Sequence, residues 1–148
     1  MKDKKVLEMV IDIAKNEHQA SQRQTAQAER LLNQALETEQ MLKNYRLEQR
    51  STKGLKQGST TTTQQLLVQQ RFGDKLDHAI DQQATQVNQQ QSLVDASQVK
   101  TKAAAIRLRS IERLVTLRRA KQAQRLNKLE QVQTDERANQ MAHRRRSA

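Results

Sequence analysis

The sequence predicts an all-α protein, a long antiparallel two-helix coiled coil, on three observations. Pro is absent from all 148 residues, and Gly occurs only at Gly54, Gly58 and Gly73. Gln, Ala, Leu, Arg, Lys and Glu dominate, with 24 Gln, and all are good helix formers. Only 34% of residues are hydrophobic and 1% aromatic, Tyr45 and Phe72 being the two aromatic residues. A compact globule of this length needs more apolar surface to offset its conformational entropy. Paired helices need only a narrow apolar seam each. Disorder, the other outcome of such a composition, goes with Pro and scattered Gly and Ser. The chain reads as one coiled-coil domain over 1–148.

Helix one is expected over about 3–53. Val6, Val10, Ile13, Ala20 and Leu31 follow steps of four and three, with Glu17, Gln24 and Gln27 as polar occupants. Ala28, Leu31, Ala35, Leu42 and Tyr45 continue the face, with Thr38 filling a slot. A helix of about 50 residues is roughly 75 Å long. The turn is expected at about 54–62, where Gly54, Gly58 and then Ser59 to Thr63 break the pattern. Gly suits a helix C-terminus, one of the threonines can cap the next helix, and four β-branched residues in a row weaken helix propensity.

Helix two is expected over about 63–142. Ile80, Ala84, Val87, Gln91, Val94, Gln98, Thr101, Ala105, Leu108, Ile111 and Val115 step by three and four, less cleanly through Leu126 and Leu129. A seam sustained over several heptads argues for a coiled coil. Folding back near Gly58 sets residue 6 beside about residue 110, and everything beyond about Val115 overhangs. Gln24, Gln27, Gln91 and Gln98 in seam slots each replace an apolar contact worth on the order of 1 kcal/mol, which predicts a marginally stable pair.

No chemistry of its own is legible. There is no Cys, which excludes disulfides and thiolate metal sites, and His18, His78 and His143 lie in three distant regions. No Gly-rich loop precedes a basic residue, so no phosphate cradle is expected. Asp74, Asp77 and Asp81 read as an exposed acidic stripe paired with Lys75 and Arg71 rather than as metal ligands. The expectation is a non-enzyme with no cofactor, metal or small-molecule substrate. The N-terminus MKDKKVLEMVIDIAKNE lacks a sustained apolar run and a cleavage pattern, and no stretch is apolar enough to span a bilayer, so a cytoplasmic chain is expected.

Charge is where the chain is distinctive. Residues 100–148 carry 14 Lys and Arg against 4 Asp and Glu, a net +10, while residues 1–99 carry +1. A neutral body with a concentrated basic arm is suited to docking on something acidic. The arm holds Arg107, Arg109, Arg113, Arg118, Arg119, Lys121 and Arg125, together with Leu114, Leu117, Leu126 and Leu129, which an overhanging helix cannot bury within the hairpin. No aromatic residue is interleaved for base stacking, and none offers a membrane anchor, so an acidic protein groove fits better than nucleic acid or lipid. A second feature is Phe72, Leu76 and Ala79, which share one face beside Ile80. That face is either core closing the hairpin near its turn or an apolar docking stripe.

These features together resemble the flagellar FliJ family of the bacterial type III export apparatus. The likeness rests on the length, the two-helix layout and the heptads from Leu7 to Glu17. It rests also on Tyr45-Arg46 before the turn, Phe72-x3-Leu76-x2-Ala79-Ile80, and Asp135-Glu136-Arg137-Ala138 near the end. The resemblance implies an antiparallel coiled coil similar to the rotor stalk of rotary ATPases. It implies a partner set of the hexameric export ATPase, bound through the end that holds the termini, the cytoplasmic part of the export gate, and export chaperones. It places the chain at the inner face of the cell membrane at the flagellar base, held there through protein partners. Phe72, Leu76 and Ala79 match a stripe that docks to the gate, and Gln83 extends that face. The alternatives are the equivalent stalk of an injectisome and a basic helical nucleic-acid-binding protein.

Overall fold

The computed structural model describes residues 2–55 and 62–147. Two helices account for nearly all of them, α1 (Lys2–Leu55, 54 residues) and α2 (Thr63–Ser147, 85 residues), and no strand occurs among the described residues. They run antiparallel: Thr25 meets Thr101, Ala35 meets Gln83 and Arg46 meets Asp77, so positions on α2 fall as those on α1 rise. The fold is the expected α-hairpin coiled coil.

The helix ends follow from local chemistry. α1 continues to Leu55, through Gly54 and past the expected stop at about 53. Gly58 and Ser59 to Thr61, on which the turn and capping expectation also fell, lie outside the described residues. At the start of α2 the Gln65 amide donates to Thr62 Oγ1 at 3.4 Å and the Leu66 amide to the Thr62 carbonyl at 3.2 Å. The threonine hydroxyl there faces a donor that a helix start leaves orphaned. α2 runs to Ser147 rather than about 142. Nothing after Ala142 breaks a helix, and Arg144, Arg145 and Arg146 sit in the last turn, where positive charge complements the helix dipole.

Packing divides the chain into two compact units, His18–Ala103 and Met1–Glu17 joined with Ala104–Ala148. In the first, the half-buried or buried face of α1 runs Ser21, Thr25, Ala28, Leu32, Ala35, Glu39, Leu42 and Arg46, in alternating steps of four and three. It packs on Ile80, Ala84, Val87, Val94 and Thr101 of α2, with Ala28 and Val94 the most buried apolar residues. In the second unit Leu7, Ile11 and Ala14 pack with Leu108, Ile111 and Val115, and Ala14 and Val115 are buried. Beyond Val115 every described residue of α2 is exposed.

The α2 seam lies where the sequence puts it at nearly every apolar position. On α1, Ala28, Ala35 and Leu42 lie at the seam as expected, but the rest of the seam lies one residue further along. Val6, Val10, Ile13 and Leu31 are exposed, Ile13 by 56%, and so are Thr38 and Tyr45. Their seam places are taken by Leu7, Ile11, Ala14, Leu32, Glu39 and Arg46. Two adjacent faces of α1 satisfy the same period, because Val6 to Ala14 is apolar on most sides. The face used presents Ala14, Ala28 and Ala35, which let the second helix come close. The correction extends to the glutamines: Gln24, Gln27, Gln91 and Gln98 are exposed, and Thr25, Ala28, Gln90 and Ser97 sit at the seam.

The polar seam residues are satisfied across the interface. Thr25 and Thr101 share a hydroxyl hydrogen bond of 3.0 Å. Gln83 Nε2 donates to the Ala35 carbonyl at 2.9 Å and Gln90 Nε2 to the Ala28 carbonyl at 3.3 Å. Small residues bring α1 backbone oxygens within reach of these amides, so the polar side chains do not go in unpaired. Among the described residues no buried side-chain nitrogen or oxygen lacks a partner.

The offset of the α1 seam is directly measurable. Ile11→Ala should destabilise by about 2 kcal/mol and Ile13→Ala by less than about 0.5 kcal/mol. Thermal unfolding followed by circular dichroism checks both; equal losses would return the seam to the Val6, Val10, Ile13 face.

Candidate docking surfaces

Of the stripe Phe72, Leu76, Ala79 and Gln83, only Phe72 stands out from the surface, 51% exposed. Leu76 and Ala79 are half-buried at the seam edge, and Gln83 is committed to the Ala35 carbonyl. Helix periodicity aligns the four, but the paired helix covers one side of the row. Phe72 instead lines a groove of about 350 Å³ with Val68 and Gln69 of its own helix and Tyr45, Glu48 and Gln49 of α1. Tyr45 is 55% exposed, so the two aromatic rings of the chain both line one open surface. Sequence periodicity had assigned Tyr45 to the seam. The signal that could have paired it with Phe72 is the rarity of aromatic residues.

Beneath that groove lies a polar cluster. Arg46 Nε donates to Asp77 Oδ1 at 2.8 Å and Nη2 to Oδ2 at 3.1 Å, a two-pronged pairing across the helices. Arg46 Nη1 also donates to Gln49 Oε1, and Gln49 Nε2 donates to the Gln69 carbonyl at 2.7 Å. Asp77 therefore does not pair with Lys75 or Arg71 in an acidic stripe; its partner is on the other helix. The donated hydrogen bonds from Arg46, aided by the charges of Arg46 and Arg50, hold the Asp77 carboxyl below its ordinary range against a smaller opposing effect of desolvation.

The basic arm divides by its surroundings. Arg107 Nη1 pairs with Glu17 Oε2 at 3.2 Å, an exposed contact worth at most about 1 kcal/mol. Arg118 and Lys121 stand with Leu7, Val10, Ile111, Leu114, Val115 and Leu117 around a groove of about 470 Å³. Leu114 is 65% exposed there. Arg109, Arg113, Arg119, Arg125, Leu126 and Leu129 are all exposed, and so is every described residue from Thr116 onward. Leu117 is among them. Among the described residues no group of His, Cys, Asp and Glu could hold a metal ion. No helix among them is long and apolar enough to cross a membrane.

The family model described as flagellar FliJ protein matches residues 3–147. The chain belongs to the FliJ family. Comparison with curated proteins and with solved structures gives no match. As a FliJ-family member the chain is a component of the flagellar export apparatus, and the family is a non-catalytic part of it. The resemblance drawn from the ordered sequence features therefore holds over essentially the whole chain.

The Arg46–Asp77 pair makes a pH prediction. Because folding lowers the Asp77 pKa, its stabilising contribution is present at neutral pH and is lost as pH falls through the lowered value. The difference in melting temperature between the parent chain and Asp77→Asn should thus be largest near about pH 7 and shrink toward about pH 2. A difference that grew on acidification would contradict the pairing.

Proposed function

We propose that this FliJ-family chain is a non-enzymatic stalk of flagellar export. It binds the hexameric export ATPase, promotes its assembly and activity, couples it to the export gate, and recycles export chaperones. The observation that carries the reading is the uncovered α2 arm. Over residues 116–147 it holds 9 Lys and Arg against 3 Asp and Glu, all exposed, together with outward leucines. Clustered positive charge raises the encounter rate with an acidic partner, and the leucines supply the short-range apolar contact that charge alone does not. Arg118 and Lys121 beside the Leu114–Leu117 groove combine both in one place.

The arm residues Arg107, Arg109, Arg113, Arg118, Arg119, Lys121, Arg125, Leu126 and Leu129 are proposed to contact the ATPase, with the acidic bore of the ring as their surface. The row Phe72, Leu76, Ala79 and Gln83 is proposed to meet the cytoplasmic domain of the gate, with Phe72 as its projecting member. The chain would act in the cytoplasm, at the inner face of the membrane and held there by these protein partners.

Reversing Arg113, Arg118, Arg119 and Arg125 to Glu introduces no helix breaker and should leave helicity intact. Stimulation of the ATPase should be abolished, and stimulation by the parent chain should weaken as salt rises. Leu126→Ala with Leu129→Ala should weaken binding roughly 10-fold with little change in salt dependence. Unaltered stimulation by the Glu variant would remove the arm as the coupling element. Strong salt-dependent binding to random nucleic acid would then favour the nucleic-acid reading. Phe72→Ala should lower gate binding and swimming motility while the melting temperature stays within about 3 °C of the parent.

A further inference from the structure

Most of the seam in the unit His18–Ala103 does not define its own alignment. Ala28, Leu32, Ala35 and Leu42 pack on Ile80, Ala84, Val87 and Val94, small and aliphatic on both sides. Slipping one helix by a heptad sets similar residues against each other again. The bonds from Gln83 and Gln90 end on backbone carbonyls, which every turn of helix provides, and only the neutral Thr25–Thr101 hydroxyl bond depends on alignment.

The charged and closest-fitting contacts specific to one alignment lie together at one place. Arg46 occupies a seam position, and its guanidinium crosses α2 directly over buried Gly73. A Cβ at residue 73 would fall on Arg46 Nη1 and lie 3.0 Å from its Cζ and from Gln49 Oε1. One turn further along α2, Asp77 receives both prongs of the guanidinium at 2.8 and 3.1 Å. A slip of one heptad would set Arg46 against Leu66 and Gln70, or against Ile80 and Ala84, with neither the gap nor the carboxylate.

These residues are a poor choice for stability alone. Gly inside a helix is less favourable than Ala, and a partly buried ion pair is often no more stabilising than aliphatic residues of similar size. Polar residues at a coiled-coil seam can instead select one register at a cost in stability.

We propose that Arg46, Gly73 and Asp77 form a register latch that admits a single alignment of α1 on α2. Its consequence is local. Tyr45 and Phe72 each adjoin a latch residue, and the latch sets them on the same groove; a one-heptad slip would move them about 10 Å apart along the axis. The latch is independent of which partner that groove meets.

The chain has no Cys, so register can be read by paired cysteines introduced in the full-length protein. Thr25→Cys with Thr101→Cys reports the observed alignment, since the two hydroxyls lie 3.0 Å apart. Thr25→Cys with Val94→Cys, or with Leu108→Cys, reports a slip either way; pairs about 10 Å out of alignment cannot be bridged. In the parent background only the first pair should form a disulfide. Arg46→Leu with Asp77→Leu should keep helicity and melting temperature, yet reduce the first crosslink by about half or more and make a slipped pair detectable. Gly73→Ala, which keeps both charges but fills the crossing point, should shift the crosslinks the same way. If both variants crosslink only through residues 25 and 101, the latch does not set the register. Loss of helicity in the double variant, with Gly73→Ala crosslinking as the parent does, overturns the proposal equally.

Discussion

The close approach of two helices along a seam of small side chains is the constraint on which the rest depends. With about a third of its residues hydrophobic, the chain cannot enclose a core, and the buried apolar residues among those described are Ala14, Ala28, Val94 and Val115. Alanines bury little area, but they bring one backbone near the other. That proximity is what lets Gln83 and Gln90 reach α1 carbonyls and Thr25 reach Thr101. A polar seam is tolerable here because the neighbouring backbone satisfies it.

A second consequence concerns the large apolar residues. Because the seam takes only a narrow row from each helix, Val6, Ile13, Tyr45, Phe72, Leu114 and Leu117 are left at the surface. Within each unit these residues adjoin charge: Arg118 and Lys121 beside Leu114 and Leu117, and Glu48 beside Tyr45 and Phe72. Exposed apolar side chains of this density suit a chain that works by contact with other proteins. Membership of the FliJ family, a part of the flagellar export apparatus, agrees with such a surface.

The Arg46 cluster shows the same seam answering a different need. Aliphatic heptads hold helices together but say little about alignment, and alignment decides which surface residues from the two helices become neighbours. Gly73, which reads in sequence as a weak point of α2, is the residue over which the guanidinium crosses, and its missing side chain is its contribution.

Helix content, the antiparallel pairing and the apolar seam positions of α2 from Ile80 to Val115 were determined by sequence alone. Composition and a period of three and four are local properties that any single helix displays. The choice between Val6, Val10, Ile13 and Leu7, Ile11, Ala14 was not determined, because both rows keep that period and differ only in what the opposite helix can approach. For the same reason the row Phe72, Leu76, Ala79 and Gln83 could be aligned but not divided into exposed and seam-edge members. The pairing of Asp77 with Arg46, and of Phe72 with Tyr45, joins residues about thirty positions apart. Those contacts exist only once α2 is laid against α1 in one register, which is a property of the pair of helices and of neither alone.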